Sequence, residues 1–405
     1  MAGLLATASV TAWPSRAGAT TQPAGGSAAV PALTGISPSS PEARLIEVYR
    51  AIGRGERQRA LALAEALTHS VPNFQLGQLV YGDLLLASAG PPRGLGAVPR
   101  GLDASGAAVK DLHEEARRRL AALRELPPPG AVPQQVLELA RNTRHVVAVD
   151  ASHSRVYVFE HRDGQLHLLR SHYASIGRAG FGKHIEGDLR TPLGVYYITS
   201  RLDDGQVDEL YGVGALPLNY PNEHDRRLGK TGSGIWLHGV PRASYSRSPY
   251  ATEGCVALAN DDMGALLRIL EPRRTPVIIA EDFHWVQPQA QAPRRTEFRA
   301  LLQRWSAARA QADPKAVLAF YSPQFRSGNA DIGQWGQAMA REQARAGGRP
   351  VSLKDLSILA WNRESEITLV TFAELRQGDI SGPVKRQYWG RERGGWKIFF
   401  EGVIG

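Results

Sequence analysis

Near residue 144 the apolar period of the chain changes from that of a helix to that of a strand, which rules out one uniform architecture. Upstream, Leu45, Val48, Tyr49 and Ile52 fall at i, i+3, i+4 and i+7. Ala60, Leu63, Ala64 and Leu67 repeat the spacing, and Leu76, Leu79 and Val80 open a third stripe. Downstream, His145-Val-Val-Ala-Val-Asp150 and Arg155-Val-Tyr-Val-Phe-Glu160 are β-rich, and Arg162-Asp-Gly164 supplies a hairpin turn. At 405 residues the chain has room for two or three domains.

Punctuation divides it further. Residues 1–40 combine a short apolar start, an Ala17-Gly18-Ala19 pattern like the end of a secretory signal, and an Ala/Gly/Ser/Thr/Pro-rich linker. The segment lacks a basic n-region, and export is the favoured reading. A helical, repeat-like segment occupies 41–130, interrupted by Gly/Pro-rich 88–107 and ended by Pro127-Pro-Pro-Gly130. A mainly-β region follows over 144–281, with a short helix at Met263–Leu270 expected to be capped by Asn260. Residues 282–295 read as a second linker. From 296 to 405 a helical stripe (Phe298, Leu301, Leu302, Trp305) precedes strands such as Glu366–Ala373 and Trp396–Phe400. Helices first and a curved antiparallel sheet afterwards indicate an α+β domain. It resembles the cone-shaped nuclear-transport-factor-2-like (NTF2-like) domains. Trp305, Trp335, Trp361, Trp389 and Trp396 then either line a cup or form ordinary core, and core is the safer reading.

The formal charge is +9, from 48 basic and 39 acidic residues. Such a balance suits an anionic partner or a merely cationic surface. No zinc-finger spacing, aromatic RNA signature or dense basic run supports nucleic acid. No apolar run reaches the roughly 18 residues of a membrane-spanning helix. Seven histidines from His145 to His224 are scattered without ligand spacing, so neither metal nor cofactor is expected. Asp203-Asp204-Gly205 lacks the alternating ligands of a calcium loop and reads as a turn.

The single cysteine excludes an intrachain disulfide and, in an exported protein, is a candidate reactive thiol. Ile235-Trp-Leu-His-Gly239 is an apolar strand ending in a histidine, and Cys255 follows within Ala251-Thr-Glu-Gly-Cys-Val-Ala-Leu258. A thiol attacks as its thiolate, and a nearby imidazole can take the proton and later return it to a leaving amine. Gly254 allows backbone N–H groups to approach a developing oxyanion. Cys255 is therefore the candidate nucleophile and His238 its candidate base. On these two residues alone, a small buried cysteine beside an unrelated histidine is the commoner situation.

The surrounding motifs shift the balance. His238-Gly239 followed by Thr252-Glu-Gly-Cys255 resembles the signature of the L,D-transpeptidase (YkuD) family. Gly177, Gly182-Lys183, Glu186-Gly-Asp188 and Thr191-Pro-Leu-Gly-Val-Tyr196 resemble that family's approach to its active site. The resemblance covers about 145–281. It implies a peptidoglycan enzyme of the cell envelope, or periplasm, that attacks the L-centre of meso-diaminopimelate in stem peptides through a cysteine thioester. It also implies that the Gly239 carbonyl orients the imidazole, while Thr252 fixes the loop or simply forms a turn. Lys183, Arg242 and Arg247 become candidates for stem-peptide carboxylates, with solvated surface charge as the alternative. Ala257 and Glu253 depart from the common pattern. The Gly-Cys-Val-Ala-Leu form resembles a branch whose members include enzymes cutting an envelope lipoprotein from peptidoglycan, so hydrolysis is an open alternative. A non-catalytic wall-binding scaffold is the alternative of another class. A papain-like protease is disfavoured because here the histidine precedes the cysteine.

Overall fold

The structure, a computed structural model, describes residues 35–89, 106–122, 125–311 and 313–404. The signal-like stretch and most of the Gly/Pro-rich break lie outside the described residues. Four helices come first: α1 (Pro41–Gly53), α2 (Arg57–Ser70), α3 (Gln75–Ala89) and α4 (Gly106–Ala121). The first starts where Ser40 accepts from the Ala43 N–H at 3.1 Å and Pro41 presets the first turn. Leu45, Val48, Ala60, Ala64 and Leu67 turn inward and pack with Phe74, Leu76 and Val80. The same cluster takes in Tyr245 and Ala259 from the β region, so the helices are seated on it.

The β region is a ten-stranded mixed sheet. Nine strands run in the order Gly194–Tyr197, Pro276–Ala280, His145–Asp150, Arg155–Arg162, Gln165–Gly177, Val256–Leu258, Trp236–His238, Gly214–Pro217, Leu202–Asp203. Tyr250–Thr252 pairs parallel with the far end of Gln165–Gly177. That strand is 13 residues long and serves two sets of partners, which curls the sheet. Two strands away, between Pro276–Ala280 and Arg155–Arg162, His145–Asp150 carries the apolar run Val146–Val149, buried on both faces. Asn260 opens the helix Asn260–Ile269, but its side chain does not cap it as the sequence suggested.

The C-terminal region is a five-stranded antiparallel sheet with helices Ala292–Ala310, Pro314–Leu318 and Ile332–Ala346. Trp305 and Trp389 are fully buried in its core with Phe298 and Phe372, so these two fill the interior. The sheet's edge strand comes from far upstream: Val136–Glu138 pairs with Val351–Asn362 (Leu359↔Val136). The stretch 282–295 is ordered. Trp285–Val286 pairs with Val132–Pro133, and Gln291 is buried with Nε2 donating to Val136 O at 2.9 Å.

Leu359, Trp361, Tyr388 and Phe399 of the C-terminal sheet share one apolar core with Val195, Tyr196 and Tyr197 of the ten-stranded sheet. Lys230 bridges the two, lying 3.2 Å from Asp225 and 3.3 Å from Glu364. Arg386 stacks on Tyr197 with its guanidinium carbon 3.3 Å from the ring centre.

Candidate active site

Cys255 and His238 are brought together by strand register. Trp236–His238 and Val256–Leu258 pair in parallel, with Ala257 opposite His238. Cys255 immediately precedes Val256–Leu258, so it enters the sheet beside the strand that ends in His238. The neighbouring strand Gly214–Pro217 pairs on the other side of His238 (Ala215↔His238), leaving the imidazole buried.

The imidazole has a defined proton. His238 Nδ1 lies 2.5 Å from the Gly239 carbonyl oxygen, which can only accept. The proton therefore sits on Nδ1, and the Nε2 lone pair is left to act as a base. Burial pushes His238 down to about 4, against the Gly239 hydrogen bond and with help from the Arg247 charge. Tyr211 meets the imidazole edge-on at 5.0 Å and lies against Trp236 at 4.8 Å. These rings wall one side of the site.

Cys255 is half-buried, and its Sγ donates to Gly234 O at 3.3 Å. Burial pushes the thiol up to about 11; the Trp236 N–H, Lys183 and Arg247 oppose the rise, while Glu253 adds to it. Both shifts favour the neutral forms, thiol and imidazole.

The loop ahead of the cysteine is tied internally. Thr252 Oγ1 accepts from the Gly254 N–H at 3.1 Å and donates to the Cys255 carbonyl at 2.7 Å. The Gly254 N–H is therefore already engaged, and it is not a free oxyanion donor. Gly254 has φ +125°, and a Cβ there would lie 2.7 Å from Arg190 O.

The candidate cations differ in place. Lys183 is buried, with Nζ 2.9 Å from Asp188 Oδ1 and 3.1 Å from Ile185 O, while its charge still reaches Cys255. Burial opposes ionisation of Asp188, yet the N–H groups of His184, Arg190 and Ile185 together with Lys183 hold it at about 2. Arg242 is on the surface, clamped by Asp204 at 2.5 Å and Glu209 at 2.6 Å, so it is committed elsewhere. Arg247 forms no ion pair among the described residues, and its charge acts on both Cys255 and His238.

Sequence reasoning missed Tyr211 and the work of Asn260, and it placed Asp188 in a motif without its partnership with Lys183. Asn260 Oδ1 accepts from Val240 N at 3.1 Å and Val213 N at 3.3 Å, and its Nδ2 donates to Val240 O at 2.8 Å. It fastens the turn after His238 to the turn carrying Tyr211. Gly239 is the residue that allows this approach, since a Cβ there would fall 2.3 Å from Asn260 Oδ1. Among the described residues no group of three or more His, Cys, Asp or Glu is placed to hold a metal. No helix there is long and apolar enough to cross a membrane.

Residues 144–279 match the L,D-transpeptidase catalytic domain (YkuD), and 297–402 match the Cds6 C-terminal NTF2-like domain. A search of curated proteins finds no match. Among solved structures, Bd1075 of Bdellovibrio bacteriovorus is 25% identical with a TM-score of 0.58, covering 68% of this chain and 98% of that one. The helical cell shape determining protein Pgp2 of Campylobacter jejuni is 23% identical with a TM-score of 0.53, covering 67% and 95%. The chain thus carries a YkuD-type L,D-transpeptidase catalytic domain followed by a Cds6-type NTF2-like domain.

Proposed function

We propose that the protein is a cysteine acyltransferase of the cell envelope that acts on peptidoglycan stem peptides. Cys255 Sγ attacks the carbonyl at the L-centre of meso-diaminopimelate as its proton passes to His238 Nε2. The C–N bond breaks, His238 returns the proton to the departing amine, and a thioester remains. With Gly254 N–H engaged, the N–H of Cys255 itself is the nearest backbone candidate for the oxyanion. Arg247 supplies positive charge for a substrate carboxylate; Lys183, buried against Asp188, acts on Cys255 only through its charge, and Arg242 is held by Asp204 and Glu209.

The observation that supports this reading is the imidazole whose proton is fixed on Nδ1, in a strand paired with the one that Cys255 immediately precedes. The catalytic-domain match supports the substrate class. Likeness to a cell-shape determining protein supports a role in remodelling the wall. Either an amine or water resolves the thioester. Transfer to an amine is the L,D-transpeptidase reaction. Ala257, a buried methyl two residues past Cys255, offers neither acceptor a polar partner. The hydrolytic products would be released D-alanine or a freed lipoprotein.

The test is mass spectrometry of muropeptides and lipoprotein-linked peptidoglycan incubated with wild-type and Cys255→Ala protein. New 3→3 crosslinks or exchanged amines, lost in the mutant, mean transfer. Cys255-dependent release without crosslinks means hydrolysis. Unchanged substrates throughout would leave a wall-binding scaffold.

A further inference from the structure

The segment between His238 and Cys255 does not stand on the β region alone. Its backbone and side chains are held by the N-terminal helices at successive points. Asn73, between α2 and α3, accepts from the Tyr245 N–H at 3.2 Å and donates through Nδ2 to Arg242 O at 3.1 Å. Phe74 packs on Tyr245 with ring centres 4.4 Å apart. From α4, Glu115 accepts from Ser246 Oγ at 2.9 Å, and Arg118 donates to the Tyr250 hydroxyl at 2.7 Å. Arg119 lies 3.9 Å over the ring of Tyr173, whose hydroxyl donates to Arg247 O at 2.9 Å.

Beneath these contacts is a buried set of two acids and two bases. Arg119 pairs with Glu115 at 2.7 Å and with Glu42 at 3.0 Å, and Glu42 also accepts from Arg155 at 2.6 Å. All four are nearly inaccessible. Buried ion pairs are a poor way to gain stability compared with apolar packing, but they fix one geometry, because every displaced partner leaves an unpaired charge. Here the set ends on Ser246, held by Glu115, and on Tyr173, whose hydroxyl holds the carbonyl of Arg247 itself. What emerges from that grip is a guanidinium without a carboxylate partner among the described residues, acting on both catalytic side chains.

We propose that the N-terminal helices are part of the substrate-binding apparatus: they hold residues 241–249 so that Arg247 faces the catalytic pair and receives a carboxylate of the stem peptide. Glu115, Arg119 and Asn73 are positioning residues in this arrangement. The inference rests on the function proposed above for Cys255 and His238.

The test uses the full chain with Asn73→Ala, Ser246→Ala and Glu115→Gln, alone and combined with Arg247→Ala. Two readouts are taken: steady-state kinetics on a soluble tetrapeptide muropeptide, and the pH profile of Cys255 alkylation by iodoacetamide. Loss of one attachment is expected to raise KM about three- to tenfold with kcat within twofold. The alkylation profile should move to higher pH, as in Arg247→Ala, because the nearby positive charge is lost. In the Arg247→Ala background the same substitutions should add nothing further. Variants that melt cooperatively yet keep the wild-type KM and profile would overturn the proposal, as would effects that add in full to Arg247→Ala. Should Glu115→Gln fail to fold, Asn73→Ala carries the test, since its side chain donates only to the Arg242 carbonyl and touches none of the buried charges, and Ser246→Ala supplements it by removing a neutral hydroxyl while leaving every charge in place. Should the wild type turn over no muropeptide, the proposed reaction fails, and the alkylation profiles still decide whether the helices place Arg247.

Discussion

His224→Phe should make the protein more resistant to acid. His224 lies in the short helix Glu223–Arg227 at the junction with the C-terminal sheet, 5% exposed and 6.3 Å from the Phe399 ring. Its Nδ1 has no hydrogen-bond partner among the described residues. Burial, reinforced by the Lys230 charge, pushes it down to about 4. The unfolded imidazole takes a proton below about pH 6.5, whereas the folded one resists until about 4. The associated stability is complete above 6.5 and is lost as pH falls through the folded value. Each unit is worth about 1.4 kcal/mol, so the loss is about 2 kcal/mol at pH 5 and about 3 kcal/mol near pH 4. His238 adds a similar loss, and a domain with 5–15 kcal/mol in total feels both. Phenylalanine cannot titrate; it removes the unpartnered Nδ1 and gives up a 3.5 Å contact between Nε2 and Ser365 Oγ. Urea-unfolding midpoints at pH 7.5 and 5.0 measure the effect: relative to wild type, the variant should gain about 2 kcal/mol on going to pH 5. Whatever the new ring costs in packing cancels from that difference. A gap between variant and wild type that is the same at both pH values would refute the reasoning.

Alkylation of Cys255 should rise about tenfold per pH unit from 7 to 10, with no plateau below pH 10, because the thiol is pushed up to about 11; a plateau at neutral pH would reveal a preformed thiolate–imidazolium pair. Asn260→Ala should cost about 2–4 kcal/mol and lower kcat, since three backbone groups around Val240 and Val213 lose their partner; unchanged melting and turnover would show that the turn after His238 holds itself. Gly254→Ala should remove activity while leaving a folded protein, because a Cβ would press on Arg190 O at a left-handed φ beside the nucleophile; a fully active variant would mean that the loop geometry before Cys255 is not needed.

Much of the architecture was legible because it is written in local periodicity. The stripes Leu45–Val48 and Ala60–Leu67 became the inner faces of α1 and α2, and the apolar run at 145–150 became a strand covered on both sides. The motif around His238 and Cys255 was legible too, since parallel pairing of two short strands needs only a connecting loop. What escaped depends on partners distant in the chain. Glu42 and Arg155 are 113 residues apart, and Arg119 sits among charges that look like the solvated face of a helix. Asn260 stands where a helix cap is expected, and only the folded turn at 239–240 shows that its amide serves the site instead. The strand Val136–Glu138 is too short to register by alternation, and its pairing partner lies more than 200 residues later.

That strand has a consequence for how the chain is made. The NTF2-like sheet receives its edge before the catalytic domain is synthesised and its other four strands afterwards, so in topological terms the catalytic domain is an insertion. As the polypeptide leaves the ribosome, Val136 and Leu137 must wait for some two hundred residues before Leu359 and the C-terminal core reach them. A chain arrested after residue 290 would hold a finished catalytic pair beside an unclosed β edge, along with the apolar face that normally meets Trp361, Tyr388 and Phe399. Completion of the last domain therefore closes the first, and a chain cut short there would leave that edge and face open to aggregation or proteolysis.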